Sequence, residues 1–255
     1  MSKAARERSA RDRLAAERAR QAARQKQVRL LALVVGAVVA VAAVVAIVVV
    51  VADQKSKRNQ VAHGYTGPQA PLTRESDGSI VMAKAGVTKP VLEIFEDFQC
   101  PACKQFEQSE GKTVKQLAAE GKVKVVYRPF HLFSQQQDPV KANSLRSAAA
   151  ALCVPAPQWL SFHDALYEFQ PTEGTDGFAP KDLVAWGKDV GVTDANFAKC
   201  VTDQQKVPQV TAMTDYARQK RQVDSTPTLF LDGQKINDQQ LADLPGTVAK
   251  AAAGK

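Results

Sequence analysis

The sequence predicts an α/β domain, with helices over a mixed sheet, that follows one transmembrane helix. Three observations predict this plan. Residues 30–52 form a run of 23 residues without a charge or a proline. From residue 79 onward, short apolar runs typical of strands alternate with stretches of helical spacing. A Cys-x-x-Cys motif, Cys100 to Cys103, closely follows one of the apolar runs.

The segment Leu30–Ala52 is long enough to cross a bilayer, since a helix of this length spans roughly 35 Å. It is longer than the apolar region of a cleaved signal peptide, which has about 7–15 residues. A buried core helix is the alternative, but it would rarely need so long an unbroken apolar run. Ten Lys/Arg precede the segment, whereas only three follow it shortly, at positions 55, 57 and 58. The positive-inside rule therefore predicts a single-pass protein of the cell membrane with a cytoplasmic N-terminus and an extracytoplasmic domain.

The formal net charge of +8 is concentrated in the N-terminal tail. Residues 1–29 hold ten Lys/Arg against three acids, and the remainder holds 24 against 23. Because the folded part is nearly neutral, a nucleic-acid-binding domain is disfavoured, and we predict no nucleic-acid partner. The tail lacks interleaved aromatics, so we interpret it as a topology signal rather than as a binder of nucleic acid or lipid.

Four segments follow from these patterns. They are a basic cytoplasmic tail (1–29), a transmembrane helix (30–52), a Gly- and Pro-rich linker (53–78) and a domain (79–255) with a helical insertion at about 138–205. The predicted elements of the domain are strands Ser79–Ala83 and Pro90–Phe95, a helix from Cys100 to about Glu120, strand Val123–Tyr127, helices from Asp138 to about Val223, the hairpin Pro227–Ile236 and a helix from Gln239 to Ala253.

The Cys100–Cys103 motif lies where a predicted buried strand gives way to a helix. Pro101 suits the first helical turn, where its missing N–H is not needed. Cys100 then lies at the helix N-terminus, whose free N–H groups and dipole favour the thiolate and lower its pKa. Cys103 lies one turn later on the same face, so the two sulfurs can form a disulfide with little backbone change. A four-cysteine zinc site is disfavoured because Cys153 and Cys200 are isolated in sequence, and we predict no metal.

A second motif, Thr226-Pro227-Thr228, precedes an apolar strand. A proline at the mouth of a strand is rigid, and we predict a cis Thr226–Pro227 bond packed close to the cysteine pair. Together the two motifs resemble the DsbA-like branch of the thioredoxin superfamily. The run from Val91 to Cys103 looks like the active-site strand and helix of that branch, and Asp232-Gly233 looks like its hairpin turn.

This resemblance covers about residues 79–250. With the membrane anchor and the second cysteine pair, the chain is most similar to actinobacterial members. The resemblance implies a thioredoxin fold with an inserted helical domain and no cofactor. It implies that Cys100 is the attacking nucleophile, that Cys103 is the resolving thiol and that substrate docks beside them. The implied site residues are Cys100, Cys103 and Pro227 for catalysis, and Thr226, Pro101 and Ala102 for substrate binding.

The activity implied by the resemblance is that of an extracytoplasmic thiol–disulfide oxidoreductase, foremost an oxidase of exported proteins that carry thiols or disulfides. A membrane redox partner similar to DsbB or VKOR would reoxidise the reduced pair. Two alternatives stay open: a disulfide reductase or isomerase fed by a membrane electron donor, and a binding module that uses the pair as a redox sensor.

Two positions depart from the pattern of the family. Ala102 stands where strongly oxidising members often have histidine, and Ile94 stands where many thioredoxin-like proteins have a buried acid. Both departures leave the redox potential open. Glu96 and Asp97 either handle protons or only cap the loop.

Neither histidine of the folded part is singled out for catalysis by the sequence. We interpret His131, which follows the third predicted strand, as a partly buried side chain. His163 is interpreted as part of a helix core that includes Trp159 and Leu166.

The second pair of cysteines, Cys153 and Cys200, lies 47 residues apart in the helical block. An exported domain seldom leaves two thiols free, so we predict that they form a structural disulfide between two helices of the insertion. Two buried free thiols, acting as small apolar side chains, are the alternative.

Overall fold

The computed structural model describes residues 44–45 and 65–254. The chain divides into two units, Met1–Arg58 and Asn59–Lys255, and the second unit carries the α/β fold. The basic tail, nearly all of the predicted span and the linker up to residue 64 lie outside the described residues. In the part of the chain that the structure describes, no helix is both long and apolar enough to cross a membrane.

Within residues 65–254, six strands form one mixed sheet. In chain order they are β1 Leu72–Arg74, β2 Ile80–Met82, β3 Val91–Glu96, β4 Lys124–Pro129, β5 Thr228–Leu231 and β6 Gln234–Lys235. The helices are α1 Pro101–Ser109, α2 Gly111–Ala119, α3 Val140–Cys153, α4 Ala156–Glu168, α5 Pro180–Asp189, α6 Phe197–Thr202, α7 Val207–Asp215 with a following π-helix Tyr216–Lys220, α8 Asp238–Ala242 and α9 Leu244–Ala253. The sheet order is β1-β2-β4-β3-β5-β6, with β3 and β4 parallel and the other neighbours antiparallel.

Strand β3 lies inside the sheet because both of its edges are paired. Its register places Ile94 beside Tyr127 of β4 and Leu229 of β5. Leu92 and Ile94 point into the larger core, which α2, α4 and α9 cover, whereas Phe95 points to the other face. The cluster on that second face consists of Phe95, Phe130, Met213, Ala217, Val223 and Phe230. Because burying each large apolar side chain contributes about 1.5–3 kcal/mol, β3 is held firmly from both sides.

Helical structure extends to Lys220, in agreement with the prediction of helices from Asp138 to about Val223. Its last part, α7 and the π-helix, lies beyond the insertion boundary expected near residue 205, and Met213 and Ala217 there cover the second face of the sheet. The long helix expected after Cys100 is divided at Glu110 into α1 and α2. Gly111 starts α2 against the Glu107 carboxylate, and a Cβ atom at that position would collide with it.

The linker predicted over residues 53–78 ends earlier than the sequence suggested. Residues 72–74 form the edge strand β1, which pairs with β2 through Leu72 and Met82. Upstream, the Tyr65 backbone N–H donates to Ser161 Oγ at 2.9 Å. The Arg74 guanidinium donates to the carbonyls of Ala151 and Val154 at the end of α3, at 3.2 and 2.6 Å. These contacts join residues 65–78 to the folded unit, although their glycine and proline content is typical of a linker.

Cys153 and Cys200 form a disulfide in the structure, as the sequence predicts. Cys153 is the last residue of α3 and Cys200 lies within α6, with their Cα atoms 5.9 Å apart. The bond therefore fastens the first long helix of the insertion to a short later one.

Replacing both Cys153 and Cys200 with Ser is expected to lower the melting temperature. Opening a loop of 47 residues removes roughly 4 kcal/mol of stabilisation on the chain-entropy model. Thermal unfolding followed by circular dichroism measures the change. Cys153→Ser alone serves as the control, because either substitution opens the same loop and should lower the melting temperature by a similar amount. An unchanged melting temperature in the double variant contradicts a structural role for the bond.

Candidate active site

The two free cysteines lie at the start of α1. Cys100 is the N-cap residue, and Pro101 occupies the first turn, as expected from its missing N–H. The Cys100 side chain is buried and Cys103 is fully buried, 6% and 0% exposed. The backbone N–H of Cys100 donates to the Asp97 carbonyl at 2.9 Å, which fixes the bend between β3 and α1. The sequence thus places one thiol at the mouth of the helix and the other beneath it.

The loop before β5 closes over Cys100. The Thr226–Pro227 peptide bond is cis, and the Cys100 thiol donates to the Thr226 carbonyl at 3.4 Å. Pairing of β5 with β3, in which Thr228 lies beside Phe95, brings this loop to the cysteine although they are 126 residues apart. The motifs that the sequence singled out separately therefore meet in one site.

The two thiols have opposite acidities. The neighbouring Cys103 thiol, as a hydrogen-bond donor, lowers the pKa of Cys100 to about 6 against the opposing effect of burial, with smaller contributions from the Thr226 side chain and from the backbone N–H groups of Cys103 and Ala102. Burial raises the pKa of Cys103 well above that of an ordinary thiol. The low pKa agrees with the prediction for Cys100. However, the Cys103 thiol lowers the pKa of Cys100 more than the N-terminus of the helix does, although the sequence predicted the shift from the helix N-terminus alone.

A shallow groove runs beside the cysteine pair. Pro101 and Ala102 are exposed at the helix start. Ala102 and Pro227 line a cavity of about 340 Å³ with Phe106 of α1 and Leu241 of α8. Pro101 and Ala102, which are expected to bind substrate, therefore lie on an accessible surface, whereas Thr226, the third residue expected to bind substrate, is buried.

Asp97 serves the architecture of the site. It is fully buried, and its carboxylate accepts hydrogen bonds from the backbone N–H groups of Gln99 and Leu132, both at 2.8 Å, and from the Ser144 hydroxyl. These bonds tie the loop before Cys100 to the end of β4 and to α3. Burial raises the pKa of Asp97 to about 6.

His131 is a buried residue on the loop after β4. Its backbone N–H donates to Thr214 Oγ1 at 3.1 Å. Burial, and then the charge of Lys141, lower the pKa of its imidazole. His131 is thus more deeply buried than the sequence suggested, and its Nε2 atom has no hydrogen-bond partner among the described residues.

A buried charged network beneath the cysteines was missed by the sequence analysis. His163 on α4 contacts Glu96 and Asp164, and the Lys115 ammonium on α2 contacts Asp164 at 2.8 Å and Glu107 at 3.6 Å. In the sequence, only two weak features indicated this network. Lys115 stands between the inward-facing Val114 and Leu117, and His163 stands on an aromatic helix face. Charged groups at such positions indicate a buried ion pair, but not its partners.

Part of this network has the donor types of a metal site. Glu96, Glu107 and His163 offer ligand atoms within 4.8 Å of one another. However, the Lys115 ammonium lies 3.6 Å from the Glu107 carboxylate and already supplies a positive charge at this cluster. We therefore describe the cluster as an ion-pair network.

Comparison with known proteins identifies the relatives of this arrangement. A family model described as "Thioredoxin" matches residues 84–250. No curated protein matches the chain. DsbG of Mycobacterium tuberculosis, a disulfide bond oxidoreductase, is 27% identical with a TM-score of 0.58, and the match covers 73% of this chain and 89% of that one.

Two further solved structures are similar. DsbA of Mycobacterium tuberculosis is 28% identical with a TM-score of 0.56, and the match covers 71% of this chain and 92% of that one. MdbA of Corynebacterium matruchotii, a thiol–disulfide oxidoreductase, is 21% identical with a TM-score of 0.64, covering 75% of this chain and 98% of that one. At that identity, the likeness to MdbA shows the fold alone.

The acidity of Cys100 leads to a pH-dependent reactivity. In the reduced protein, alkylation of Cys100 by iodoacetamide should be slow below pH 6, rise as the thiol ionises with its pKa of about 6, and level off above it. Cys103→Ala removes the hydrogen bond that stabilises the thiolate most, so the midpoint should move to higher pH. Thiolate absorbance in the ultraviolet, titrated for both proteins, measures the two values. A midpoint near the free-cysteine value of about 8.5 in the unaltered protein contradicts the geometry.

Proposed function

The chain belongs to the thioredoxin family as a DsbA-like thiol–disulfide oxidoreductase, and we propose that it is an oxidase that introduces disulfides into exported proteins. The observation that carries this direction of reaction is the placement of Cys100 at the N-terminus of α1, beside the Thr226–Pro227 loop and next to Cys103, where the pKa of Cys100 is lowered to about 6. These surroundings stabilise the Cys100 thiolate, which exists only when the pair is reduced, so they stabilise the reduced form. A pair whose reduced form is stabilised readily gives up its disulfide to a substrate.

The proposed reaction has two steps. A substrate thiolate attacks the Cys100 sulfur, the Cys100–Cys103 bond breaks, and Cys103 leaves with the electron pair and takes up a proton. A second substrate thiolate then attacks the substrate sulfur of the mixed disulfide and releases Cys100 as a thiolate. The substrate gains one disulfide and loses two electrons, which the cysteine pair receives.

The proposed location is the outer face of the cell membrane. The uncharged run Leu30–Ala52 and the excess of positive charge before it support a single membrane span with the N-terminus in the cytoplasm. The disulfide between Cys153 and Cys200 also suits an oxidising compartment.

The proposed partners follow from the electron balance. Each turnover leaves Cys100 and Cys103 reduced, so a further oxidant has to restore the disulfide. For an enzyme anchored in the membrane, a quinone-linked membrane protein of the DsbB or VKOR kind is the partner we propose. The substrates are exported proteins with free thiols, which would dock along the groove beside Ala102 and Pro227.

Oxidative folding of a reduced model substrate tests the activity. Cys100→Ala should abolish turnover, and Cys103→Ala should trap mixed disulfides on Cys100. The Cys153→Ser/Cys200→Ser protein is the matched control and should keep its turnover below its melting temperature. Full activity of the Cys100→Ala protein rules out the mechanism.

Equilibration with glutathione tests the direction of the reaction. Because the Cys100 pKa of about 6 lies between about 7 for thioredoxin and about 3.5 for DsbA, we expect a potential between about −270 and about −120 mV. A potential at or below that of thioredoxin contradicts an oxidase and favours a reductase.

The proposed topology is tested with a membrane-impermeant maleimide on intact cells. Ser76→Cys, at an exposed position of the folded unit, should react from outside. Ser2→Cys, in the basic tail, should react only after lysis. The reverse pattern, or release of the domain as a soluble fragment, contradicts the anchor.

A further inference from the structure

A buried histidine lies between two carboxylates beneath the cysteine pair. His163 Nε2 is 3.2 Å from Glu96 Oε2, and His163 Nδ1 is 3.0 Å from Asp164 Oδ1. The imidazole is fully buried. The rings that surround it belong to Phe98, Tyr127, Trp159 and Tyr167. A charge in such apolar surroundings is tolerated only when it is paired, and both ring nitrogens have a carboxylate partner.

This arrangement joins the surroundings of Cys103 to the protein surface. Glu96, at the end of β3, is buried, and its Oε1 atom has no hydrogen-bond partner among the described residues. Its carboxylate interacts electrostatically with the Cys103 thiol. At the other end the Asp164 side chain is 33% exposed and lines a cavity of about 270 Å³ with Glu107 and Lys115. Glu96, His163 and Asp164 thus form a continuous path from the interior to solvent.

We propose that His163 stores the proton that Cys103 takes up and returns in each catalytic cycle, and that Glu96 passes this proton between them. The inference rests on the proposed function, because it concerns the proton that accompanies cleavage of the Cys100–Cys103 bond. Fully buried Cys103 has no direct contact with water from which to take one.

The proton balance closes within the site. When substrate thiolate breaks the Cys100–Cys103 bond, the Nε2 proton of the imidazolium passes to the Glu96 carboxylate, and Glu96 passes a proton on to the Cys103 thiolate. His163 is left neutral, with its Nδ1 proton held by Asp164. When an oxidant reforms the disulfide, Cys103 returns the proton by the same two transfers. No net proton is consumed by the store over one full cycle.

The groups around His163 favour the protonated form of its imidazole. Burial opposes the charge, but Glu107, Asp164 and Glu96 outweigh it and raise the pKa of His163 to about 10. The titratable groups around it are Glu96 on β3, Cys103 and Glu107 on α1, Lys115 on α2, Tyr127 on β4, and Asp164 and Tyr167 on α4. The contacts of both ring nitrogens with Glu96 and Asp164 therefore favour the protonated imidazole before the reaction begins.

The test measures reduction of the oxidised protein by dithiothreitol, followed by tryptophan fluorescence over a range of pH. The variant His163→Gln keeps groups that can hydrogen bond to Glu96 and Asp164 but stores no proton. We expect its rate per dithiothreitol thiolate to fall about a hundredfold at neutral pH, the size of a typical general-acid contribution. In the unaltered protein the rate per dithiothreitol thiolate should stay constant as the pH rises and should then fall where the His163 imidazolium loses its proton. The variant should show no such fall.

Glu96→Gln should lower the rate in the same way. Glu93→Gln is the matched control: it makes the same change on the same strand, but Glu93 points to the opposite face and pairs with Arg128 and Arg221. Its rate should be unaltered. Alkylation of Cys100 in each reduced variant reports whether the site is intact. Should His163→Gln fail to fold, Asp164→Asn, at the partly exposed end of the path, should slow reduction and lower the pH at which the rate falls.

Equal rates and pH profiles in the unaltered protein and His163→Gln would overturn the proton store while leaving the oxidase proposal intact. An unaltered protein that is reduced normally by dithiothreitol but cannot oxidise a model substrate would defeat the proposed function instead. An unaltered pH profile in Asp164→Asn, with Cys100 still reactive, also counts against the store.

Discussion

The pairing of β3 on both of its edges is the constraint on which the site depends. Parallel pairing with β4 and antiparallel pairing with β5 place the end of β3 beside the start of β5. The chain leaves β3 into the bend that carries Cys100, and it enters β5 through Thr226 and Pro227. Packing of Ile94 on one face and Phe95 on the other holds the strand in register. A shift of one residue would exchange these faces and separate the loop from the thiol.

The chemistry of the pair comes from the different surroundings of two cysteines that lie three residues apart at the start of α1. Cys100 is the N-cap residue of α1 and accepts hydrogen bonds, whereas Cys103 is buried in the larger core together with the aromatic residues of α4. The Cys103 thiol acts as the donor that lowers the pKa of Cys100, and burial raises the pKa of Cys103 itself. One structural feature thus divides the roles of nucleophile and leaving group between two chemically identical side chains.

The sequence was most informative where a residue type carries its own geometric requirement. Cysteines one turn apart, proline in the first helical turn and proline at a strand mouth each predicted a local structure that is present, and Cys153 and Cys200 do form a bond. Long-range electrostatics could not be predicted in this way. Periodicity placed Lys115 and His163 on inward faces, but their partners come from other elements and are set only by the packing of α2, α4 and β3. Composition also misled at β1, where glycine and proline flank a short strand.

Strand β1 determines at which residue a recombinant fragment of the chain should begin. It covers the outer edge of β2, and Arg74 occupies the terminal carbonyls of α3. A recombinant fragment that starts at Ser79, the boundary suggested by composition, would retain both cysteine pairs. However, it would expose a row of unpaired backbone groups along β2, and bare strand edges are templates for aggregation with other chains. A fragment that starts at or before Tyr65 keeps that edge covered and is the better choice for crystallisation and solution work.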